Sequence, residues 1–431
     1  MKVLHVIPAL APRYGGPSQA VKGMCQALAR QGQEVTIYTT NIGNLDVPLD
    51  RPVSVDGIEV RYFRVQQPRF YSFSIPLANA LKNEVKRFDL VHIHSVFTWP
   101  TTAAAFYCRK YKLPYIVRPC GILDPVPLKR AYQTGWLPVT FELKRRYLNR
   151  QFLQRKYLKR VLQKRSYIKK IIYLLLVEKR NLEGAAAVHF TSREEAVAVQ
   201  PCGISVPRFI APLGIDLREL QHHRSRGFRD QHPELNGKKI VLFLSRVDAE
   251  KGLDLRIPAL GKLAAKREDF TFVLSGSGRA EYEEQIKGLL HKHGLANRTI
   301  LTSFVEGRLK WSIFEEAEVF VLPSHHENFG IAVVEAMSVG RPVVITNRIA
   351  IHEEVSKARA GLVVSGDSEE LGRAIAELLN SSSLRESMGK EGRRLVETKF
   401  SWDKVARELC GVYEDIVKRT RRSSAWVRQA P

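Results

Sequence analysis

The sequence predicts an α/β protein with two doubly wound parallel-sheet domains that face a cleft. Apolar strand patterns alternate with amphipathic helix patterns, an order that favours parallel sheets covered on both faces. The alternation occurs in two separate series, and a chain of 431 residues is longer than one ordinary core requires. A segment rich in Pro, Arg, His and Gly, residues 208–237, separates the two series and is predicted to be the interdomain linker. Each domain is therefore expected to be Rossmann-like.

The first series predicts four strands and an amphipathic helix over Ser18–Arg30. Pro17 lies near the start of this helix and Gly32 follows its end, which is the usual punctuation of a helix. The second series predicts four further strands. The eight predicted strands are Val3–Ile7, Glu34–Thr39, Asp89–His94, Tyr115–Val117, Lys239–Ser245, Phe270–Leu274, Val319–Leu322 and Pro342–Thr346.

These elements predict an N-terminal domain over 1–207 that contains a basic helical insertion at about 139–180. A C-terminal domain is predicted over 238–398 and a final helix over 399–420. Ligands of doubly wound sheets bind at the carboxyl ends of the strands. Functional residues are therefore expected in the loops that follow the strands.

Cysteine usage and hydropathy indicate the compartment. The five cysteines are scattered without Cys-x-x-Cys spacing, which indicates free thiols in a reducing environment and argues against a disulfide framework or a zinc site. The N-terminal apolar run is too short for a signal peptide and is broken by Pro8. No segment has the roughly 18 uninterrupted apolar residues of a spanning helix. We therefore expect a cytoplasmic protein that does not span a membrane.

The most informative motif is a pair of carboxylates, Glu327 and Glu335, on either side of Asn328-Phe329-Gly330. A buried strand precedes the motif and a helix is predicted to begin after Gly330. The first turn of a helix presents free N–H groups and a positive dipole end, which attract phosphate. Carboxylates accept hydrogen bonds from hydroxyl groups. The combination suits a sugar nucleotide.

The ten residues from His326 to Glu335 resemble the Glu-x7-Glu signature of family 4 of the retaining glycosyltransferases, which have the GT-B fold. The resemblance covers nearly the whole chain. It includes Gly15-Gly16 in the first domain, the tail FSWDKVARELCGVYEDI, and the segments NGKKIVLFLSRVDAEKGLD and FVLSGSGRAEYEEQI. It implies that the final helix crosses back to the N-terminal domain.

The resemblance also implies roles for individual residues on the donor side. Arg246 and Lys251 would contact the donor diphosphate, and two cations would stabilise the charge that develops on the leaving group. Glu335 would bind the nucleotide ribose and Glu327 the hydroxyls of the donor sugar. The remaining donor-binding residues are Asn328, Phe329 and Gly330 for sugar and phosphate, Val305 for the base, and Gly15 and Gly16 for the diphosphate.

The mechanism of the family implies front-face transfer with retention of configuration, through an oxocarbenium-like ion pair. It requires no metal and no cofactor apart from the nucleoside-diphosphate sugar, which is the donor substrate. The chain contains no Asp-x-Asp triplet.

One position departs from the family pattern. Members often have His-Gly after the strand that corresponds to Tyr115–Val117, whereas this chain has Arg118-Pro119-Cys120-Gly121. Arg118 or Cys120 would substitute for that imidazole, or His94 would take over part of its role. His94 ends a predicted strand, is expected to face the cleft, and is assigned a catalytic role on the acceptor side.

A basic segment accounts for half of the net charge of +24, because residues 144–170 contain twelve Lys or Arg and no acid. Apolar residues recur near helical spacing over 144–177, as in a helix that contacts an anionic membrane surface. A solvated helix is the alternative. Nucleic-acid binding is not expected, because no recognition motif or aromatic platform accompanies the cations.

The predicted function is therefore a retaining, metal-independent glycosyltransferase that moves a hexose-type sugar to a glycan or lipid-linked acceptor. The expected setting is the synthesis of surface polysaccharide or glycolipid, on the cytoplasmic face of the membrane. A GT-B relative such as a sugar-nucleotide epimerase or a phosphorylase is one alternative, and a membrane-binding scaffold is another. A scaffold has no use for the complete set Arg246, Lys251, Glu327 and Glu335.

Overall fold

The computed structural model describes residues 1–11, 15–43, 46–123, 173–200, 203–221 and 227–429. Most of the basic segment 144–177, and most of the insertion predicted at about 139–180, therefore lies outside the described residues. The chain divides into two compact units. The first comprises Met1–Phe190, Glu195–Ile210 and Cys410–Pro431, and the second comprises Thr191–Glu194 and Ala211–Leu409.

The first unit contains an eight-stranded sheet in the order β3-β4-β2-β1-β5-β6-β7-β8. All neighbouring strands are parallel except the hairpin of β3 and β4. The strands are β1 (Lys2–Ala9), β2 (Glu34–Thr40), β3 (Pro52–Val55), β4 (Ile58–Phe63), β5 (Leu90–His94), β6 (Tyr115–Arg118), β7 (Ala187–Phe190) and β8 (Arg208–Ile210).

The second unit contains a six-stranded sheet in the order β11-β10-β9-β12-β13-β14, and all its pairs are parallel. The strands are β9 (Lys239–Leu244), β10 (Phe270–Ser275), β11 (Thr299–Thr302), β12 (Val319–Leu322), β13 (Val343–Thr346) and β14 (Gly361–Val364). The central strands β10, β12 and β13 are buried along their whole length. Burial on both faces explains their continuous apolar sequences.

Helices connect the parallel strands of both sheets. Those described before residue 211 are α1 (Gly16–Arg30), α2 (Ile75–Glu84), α3 (Trp99–Tyr111), α4 (Lys179–Glu183) and α5 (Arg193–Ala198). The later helices are α6 (Leu217–Gln221), α7 (Phe228–Gln231), α8 (Leu253–Ala264), α9 (Ala280–Lys292), α10 (Gly307–Glu316), α11 (Ile331–Ser338), α12 (His352–Ala358), α13 (Ser368–Asn380), α14 (Ser382–Leu395) and α15 (Trp402–Gln429). No helix among the described residues combines the length and the apolar character needed to cross a bilayer.

All eight predicted strands and the predicted first helix are confirmed, with ends that differ by one or two residues. The sequence prediction omitted six strands, which are β3, β4, β7, β8, β11 and β14. Most of them are short or lie toward a sheet edge, where one face meets solvent and the apolar run is interrupted. The predicted linker 208–237 contains the edge strand β8, which pairs with β7, and the short helices α6 and α7.

The core of the second unit contains a buried cation, Arg256 of α8, which has no exposed surface. Its Nη2 donates to the carbonyl of Val321, and its guanidinium lies over the rings of Phe243 and Phe272, 4.5 and 5.5 Å from the ring centroids. Its Nε and Nη1 have no hydrogen-bond partner in the described structure. Burial lowers the pKa of Arg256 well below its usual range, so the charged form destabilises the folded state.

We expect Arg256→Met to raise the free energy of unfolding by about 1 kcal/mol or more, because replacing buried ionic groups by apolar ones of similar volume is often stabilising by roughly 1–4 kcal/mol. Methionine adapts to the space that the aliphatic stem occupies. Urea denaturation of the two proteins measures the difference. The matched control is Lys262→Met on the same helix, where the side chain is 62% exposed and burial costs nothing. A lower unfolding free energy for Arg256→Met would show that its ring contacts outweigh its desolvation.

Candidate functional site

The candidate donor site of the second unit forms in the loops that follow β9 and β12. These strands are neighbours and parallel, so their carboxyl ends meet at one edge of the sheet. Lys251 lies in the loop after β9 and Glu327 in the loop after β12. The topology therefore brings together two residues that are 76 positions apart in the chain.

Lys251 and Glu327 form an ion pair in which Nζ of Lys251 donates to Oε2 of Glu327. The side chains are only 8% and 19% exposed, so water screens the pair poorly. Gly252 makes this arrangement possible. Its φ is 68°, and a Cβ at this position would overlap the carbonyl of Pro323 at the end of β12. The Lys-Gly sequence thus allows the first loop to pass directly against the second.

The loop that carries Glu327 is held on its other side by backbone hydrogen bonds. The N–H of Glu327 donates to the carbonyl of Arg348 at 3.1 Å, and the N–H of Ala350 donates to the carbonyl of Glu327 at 3.1 Å. These bonds form a parallel bridge between Glu327 and Ile349. The carboxylate is therefore fixed by its backbone as well as by Lys251.

The three residues after Glu327 lead into α11. Gly330 precedes the helix in the left-handed conformation, with φ 86°, and a Cβ would lie 3.0 Å from a methyl group of Ile349. Phe329 is buried and packs edge-on against Phe400, with the ring centroids 5.8 Å apart. Asn328 donates from Nδ2 to Oγ1 of Thr191 at 3.2 Å, and its buried Oδ1 has no partner in the described structure. The start of α11 is thus fixed by packing, and one buried acceptor of Asn328 remains without a partner among the described residues.

Glu335 lies on the second turn of α11 and accepts a hydrogen bond from Nζ of Lys310 at 3.0 Å. The two side chains are 15% and 22% exposed. Lys310 also lies 4.4 Å from the ring centroid of Trp311. Each carboxylate of the motif therefore has its own lysine, and the two carboxylates do not share a proton or a partner.

The other predicted donor residues of this unit lie at the carboxyl edge of the same sheet. Arg246 follows β9 and is exposed, and Val305 follows β11 and is half-buried. The side chain of Arg246 makes no hydrogen bond or ion pair with the described residues. It is available to an anion at this edge.

The remaining predicted residues belong to the first unit. Gly15 precedes α1 with φ 69°, and Gly16 is the first residue of that helix. No atom of the described residues lies within 4 Å of a Cβ built on either glycine, so the space that a side chain would occupy is open there. The structure thus places both at a helix N-terminus that follows the first strand of the sheet.

His94 ends β5 as predicted, but its side chain has no exposed surface, so the expectation that it faces a cleft is wrong in this structure. Its Nε2 lies 2.9 Å from Nδ1 of His5, and the two rings stack with centroids 5.1 Å apart. His92, on the same face of β5, has Nδ1 2.7 Å from the hydroxyl of Tyr413. The parallel register of β1 and β5 explains the cluster, because His5 and His92 are direct neighbours across the pair.

The cluster of His5, His92 and His94 offers three buried nitrogens within 4.8 Å of one another, a spacing that a metal ion could use. Arg118 is also buried, and its Nη1 has no hydrogen-bond partner in the described structure. Its positive charge acts on all three imidazoles. A cation beside them opposes the binding of a second one.

Arg118 and Cys120 occupy the stretch where the family often has His-Gly. Arg118 is 1% exposed and its Nε donates to Sγ of Cys120 at 3.3 Å. Cys120 is partly exposed and has φ 58°. Of Arg118, Cys120 and His94, only Cys120 therefore presents its side chain at the surface of this unit.

The sequence analysis did not identify Lys310 or the bridge to Ile349. Lys310 precedes Glu335 by 25 residues and belongs to another helix. No spacing rule relates the two positions. From the sequence alone, a lysine beside Trp311 is indistinguishable from an ordinary surface residue.

The buried histidines predict a pH dependence of stability. Burial, followed by the charge of Arg118, lowers the pKa of His5 to about 3. Burial also lowers the pKa values of His92 and His94 well below their usual range. The unfolded chain binds a proton on each imidazole below about pH 6.5, whereas the folded state excludes it. The stability is therefore full above pH 6.5 and falls as the pH decreases toward 3.

We expect His5→Asn to reduce the slope of unfolding free energy against pH by about 1 kcal/mol per pH unit between pH 6 and 5, since each excluded proton contributes about 1.4 kcal/mol per unit. Urea titrations at four pH values measure this slope. His291→Asn, at an exposed position on α9, is the control. Equal slopes for wild type and His5→Asn would show that His5 becomes protonated in the folded state.

Comparison with known proteins shows which family this chain is similar to. Residues 225–395 match the family model of glycosyl transferases group 1, and residues 15–209 match the model of the glycosyl transferase 4-like domain. The chain is 24% identical over 430 residues to an uncharacterized glycosyltransferase of Methanocaldococcus jannaschii, with 96% of this chain and 98% of that protein covered.

A second relative is a capsular polysaccharide biosynthesis glycosyltransferase of Staphylococcus aureus, CapM. It is 28% identical over 218 residues, which are 50% of this chain and 57% of that protein. The chain thus matches little more than half of the length of this relative. Among solved structures, Anabaena HepE in complex with UDP-glucose superimposes with a TM-score of 0.70 and 16% identity, over 96% of this chain and 100% of that chain.

The two family models together span both predicted domains, and the two parallel-sheet units have the GT-B fold. The chain belongs to the family 4-type glycosyltransferases of the GT-B fold.

Proposed function

We propose that this glycosyltransferase moves a hexose-type sugar from a nucleoside-diphosphate sugar to a glycan or lipid-linked acceptor, with retention of configuration. The proposed setting is surface polysaccharide or glycolipid synthesis on the cytoplasmic face of the membrane. The relative in capsular polysaccharide biosynthesis supports this setting. The similar structure in complex with UDP-glucose makes that nucleotide sugar the first donor to test.

The observation that carries the proposal is the Lys251–Glu327 ion pair beside the N-terminus of α11. A donor diphosphate at this edge would meet the cations Lys251 and Arg246 and the positive end of the helix. Breaking the glycosidic bond places negative charge on the leaving diphosphate. Cations that are held in position before the reaction stabilise that charge without reorganisation.

The two carboxylates are suited to binding rather than to covalent catalysis. Glu327 is paired with Lys251 and Glu335 with Lys310, so each carboxylate is already engaged by a lysine. Retaining glycosidases instead direct a nucleophilic carboxylate at the anomeric carbon. We therefore assign Glu327 to the donor-sugar hydroxyls and Glu335 to the ribose, and no covalent intermediate is proposed.

Front-face transfer accounts for retention in this proposal. The acceptor hydroxyl approaches from the side that the diphosphate leaves, and a phosphate oxygen takes its proton. Neither step requires a metal or a cofactor. We also propose a role for His94 on the acceptor side. Because its side chain has no exposed surface, His94 would act by holding its buried neighbour His5 in position. Gly15 and Gly16 would let the backbone of the first unit approach the diphosphate.

The experiment distinguishes the proposed roles of the two carboxylates, Glu327 and Glu335. We expect Glu327→Gln to lower kcat for sugar transfer by about 100-fold or more, a loss typical of removing a preorganised electrostatic contact, with little change in nucleoside-diphosphate affinity. Glu335→Gln should weaken nucleotide binding about tenfold or more, because a hydrogen bond to a charged group contributes about 1.5–3 kcal/mol. Transfer assays and calorimetry with UDP measure the two effects, and product anomers are assigned by NMR.

Glutamine is chosen because Glu327→Ala would leave Lys251 buried without a partner, which destabilises proteins by about 3–5 kcal/mol. Thermal melting confirms that each variant is folded. The control is Glu377→Gln, an exposed carboxylate on α13. Unchanged turnover in a folded Glu327→Gln variant would refute the site, and an inverted product would refute the mechanism.

The basic segment predicts a membrane contact. Anionic lipid attracts each nearby Lys or Arg by about 1 kcal/mol. We therefore expect replacement of Lys159, Arg160, Lys164 and Arg165 by Gln to weaken binding to phosphatidylglycerol vesicles by about three orders of magnitude, as measured by flotation, because the four lost attractions total about 4 kcal/mol.

Four exposed lysines of helices α8, α9, α12 and α15 provide a charge-matched control variant. They are Lys262, Lys287, Lys357 and Lys418, all more than half exposed. Binding that does not depend on anionic lipid, or that falls equally in both variants, would contradict a specific membrane contact.

A further inference from the structure

A polar cavity lies within residues 225–395, the part of the chain that matches the glycosyl transferases group 1 model, away from the donor loops. Its volume is about 520 Å³, within the range of small-molecule sites. Its walls come from the segment between α11 and β13 and from one side of α14. Four cations, Arg341, Arg385, Lys390 and Arg393, line it together with the carboxylates Glu318 and Glu386.

The cavity is at the opposite edge of the sheet from the donor residues. Glu318 directly precedes β12 and Arg341 lies two residues before β13, so both mark the amino ends of their strands. Glu327 and the start of α11 follow the carboxyl end of β12. A four-residue strand spans roughly 13 Å. A ligand in this cavity would therefore not overlap one at the donor edge.

Arg341 is the clearest sign of a ligand. It is partly buried, its Nε is inaccessible to solvent and has no hydrogen-bond partner, and its side chain forms no ion pair within the described part of the chain. Burial lowers the pKa of Arg341, and the nearby charges of Glu318 and Glu315 offset this effect only in part. A partly desolvated guanidinium with no direct ion-pair partner is costly, and an anionic ligand would relieve that cost.

The other cations of the cavity differ in the hydrogen-bond and ion-pair partners that they already have. Arg385 donates from Nη1 to the carbonyl of Leu378 at 2.6 Å, which fixes the guanidinium against the end of α13. Lys390 is exposed and has no ion-pair partner among the described residues. Arg393 pairs only at the surface, with Glu397 at 3.2 Å. One rigid cation and one adaptable cation thus accompany Arg341.

Neither carboxylate of the cavity forms an ion pair with Arg341, although the charge of Glu318 partly offsets the effect of burial on the pKa of Arg341. Glu318 accepts a hydrogen bond from the N–H of Ile240 and lies 3.5 Å from Arg229, so its charge is engaged on the β9 side. Glu386 is exposed on α14. The hydroxyl of Ser382, at the first residue of the 14-residue helix α14, adds a donor and lies near the positive end of the helix dipole.

We propose that this cavity binds a small phosphate-bearing anion through Arg341, Arg385 and Lys390. Arginine presents a planar fork of donors that matches phosphate, and lysine supplies an adjustable point charge. The ligand class is a phosphate ester or pyrophosphate, bound independently of the donor nucleotide. The inference does not depend on the proposed sugar transfer, since it concerns a different edge of the sheet.

The test uses the full chain and inorganic pyrophosphate as the probe. The donor edge also attracts phosphate, so binding is measured by calorimetry at constant ionic strength in the Arg246→Gln/Lys251→Gln double variant, which keeps a hydrogen-bond donor beside Glu327 and is shown to be folded by thermal melting. We expect pyrophosphate to bind this variant with a stoichiometry of one. Adding Arg341→Gln should raise the Kd about tenfold or more, the effect of losing a charge-assisted hydrogen bond. Lys390→Gln, at an exposed position, should act in the same direction.

Arg373→Gln, at an exposed position on α13 outside the cavity, is the matched control and should leave the Kd unchanged. Vesicles of phosphatidylglycerol form a second arm: displacement of pyrophosphate by vesicles would identify the phosphate source as a lipid headgroup, whereas no displacement would identify a soluble ligand. The proposal is overturned if the double variant does not bind pyrophosphate. It is also overturned if neither Arg341→Gln nor Lys390→Gln, both shown to be folded by thermal melting, changes the Kd.

Discussion

The donor half of the molecule depends on the ion pair between Lys251 and Glu327. The pair joins the loops after two neighbouring strands, and it exists only because parallel strands deliver both loops to the same edge of the sheet. Burial of both side chains strengthens their attraction and makes the loss of either one costly. The position of the mouth of α11 follows from this pair and from the bridge between Glu327 and Ile349.

Three arginines, two of them buried and one partly buried, show that the neighbours of a cation determine its role. Arg256 has no exposed surface and lies over two aromatic rings, so its charge carries a desolvation cost. Arg118 lies among histidines whose pKa values are lowered mainly by burial and further by its charge, so the stability of the first unit depends on pH. Arg341 faces a cavity with two other available cations, so its missing partner indicates a ligand. The residue type is the same in each case, and the neighbours differ.

The parts of the fold that were predictable are those in which local sequence and burial agree. Strands such as Val319–Leu322 are apolar without interruption because helices cover both faces, and this pattern can be read directly. Edge strands such as Arg208–Ile210 alternate exposed and half-buried residues over three positions. Such a segment has no distinctive period, and it becomes a strand only because β7 offers an open edge for pairing. It therefore fell inside the predicted linker.

By itself, the sequence determined the α/β class, the two series of strands, and the positions of Lys251, Glu327 and Glu335 relative to strand ends, because these features depend on local periodicity and short motifs. The tertiary structure alone decided that Lys310 pairs with Glu335 and that His94 is buried against His5 rather than exposed. Both outcomes depend on which distant segments the strand order makes neighbours. Side-chain burial is a property of what covers a residue, and that information is not contained in the residues beside it in the chain.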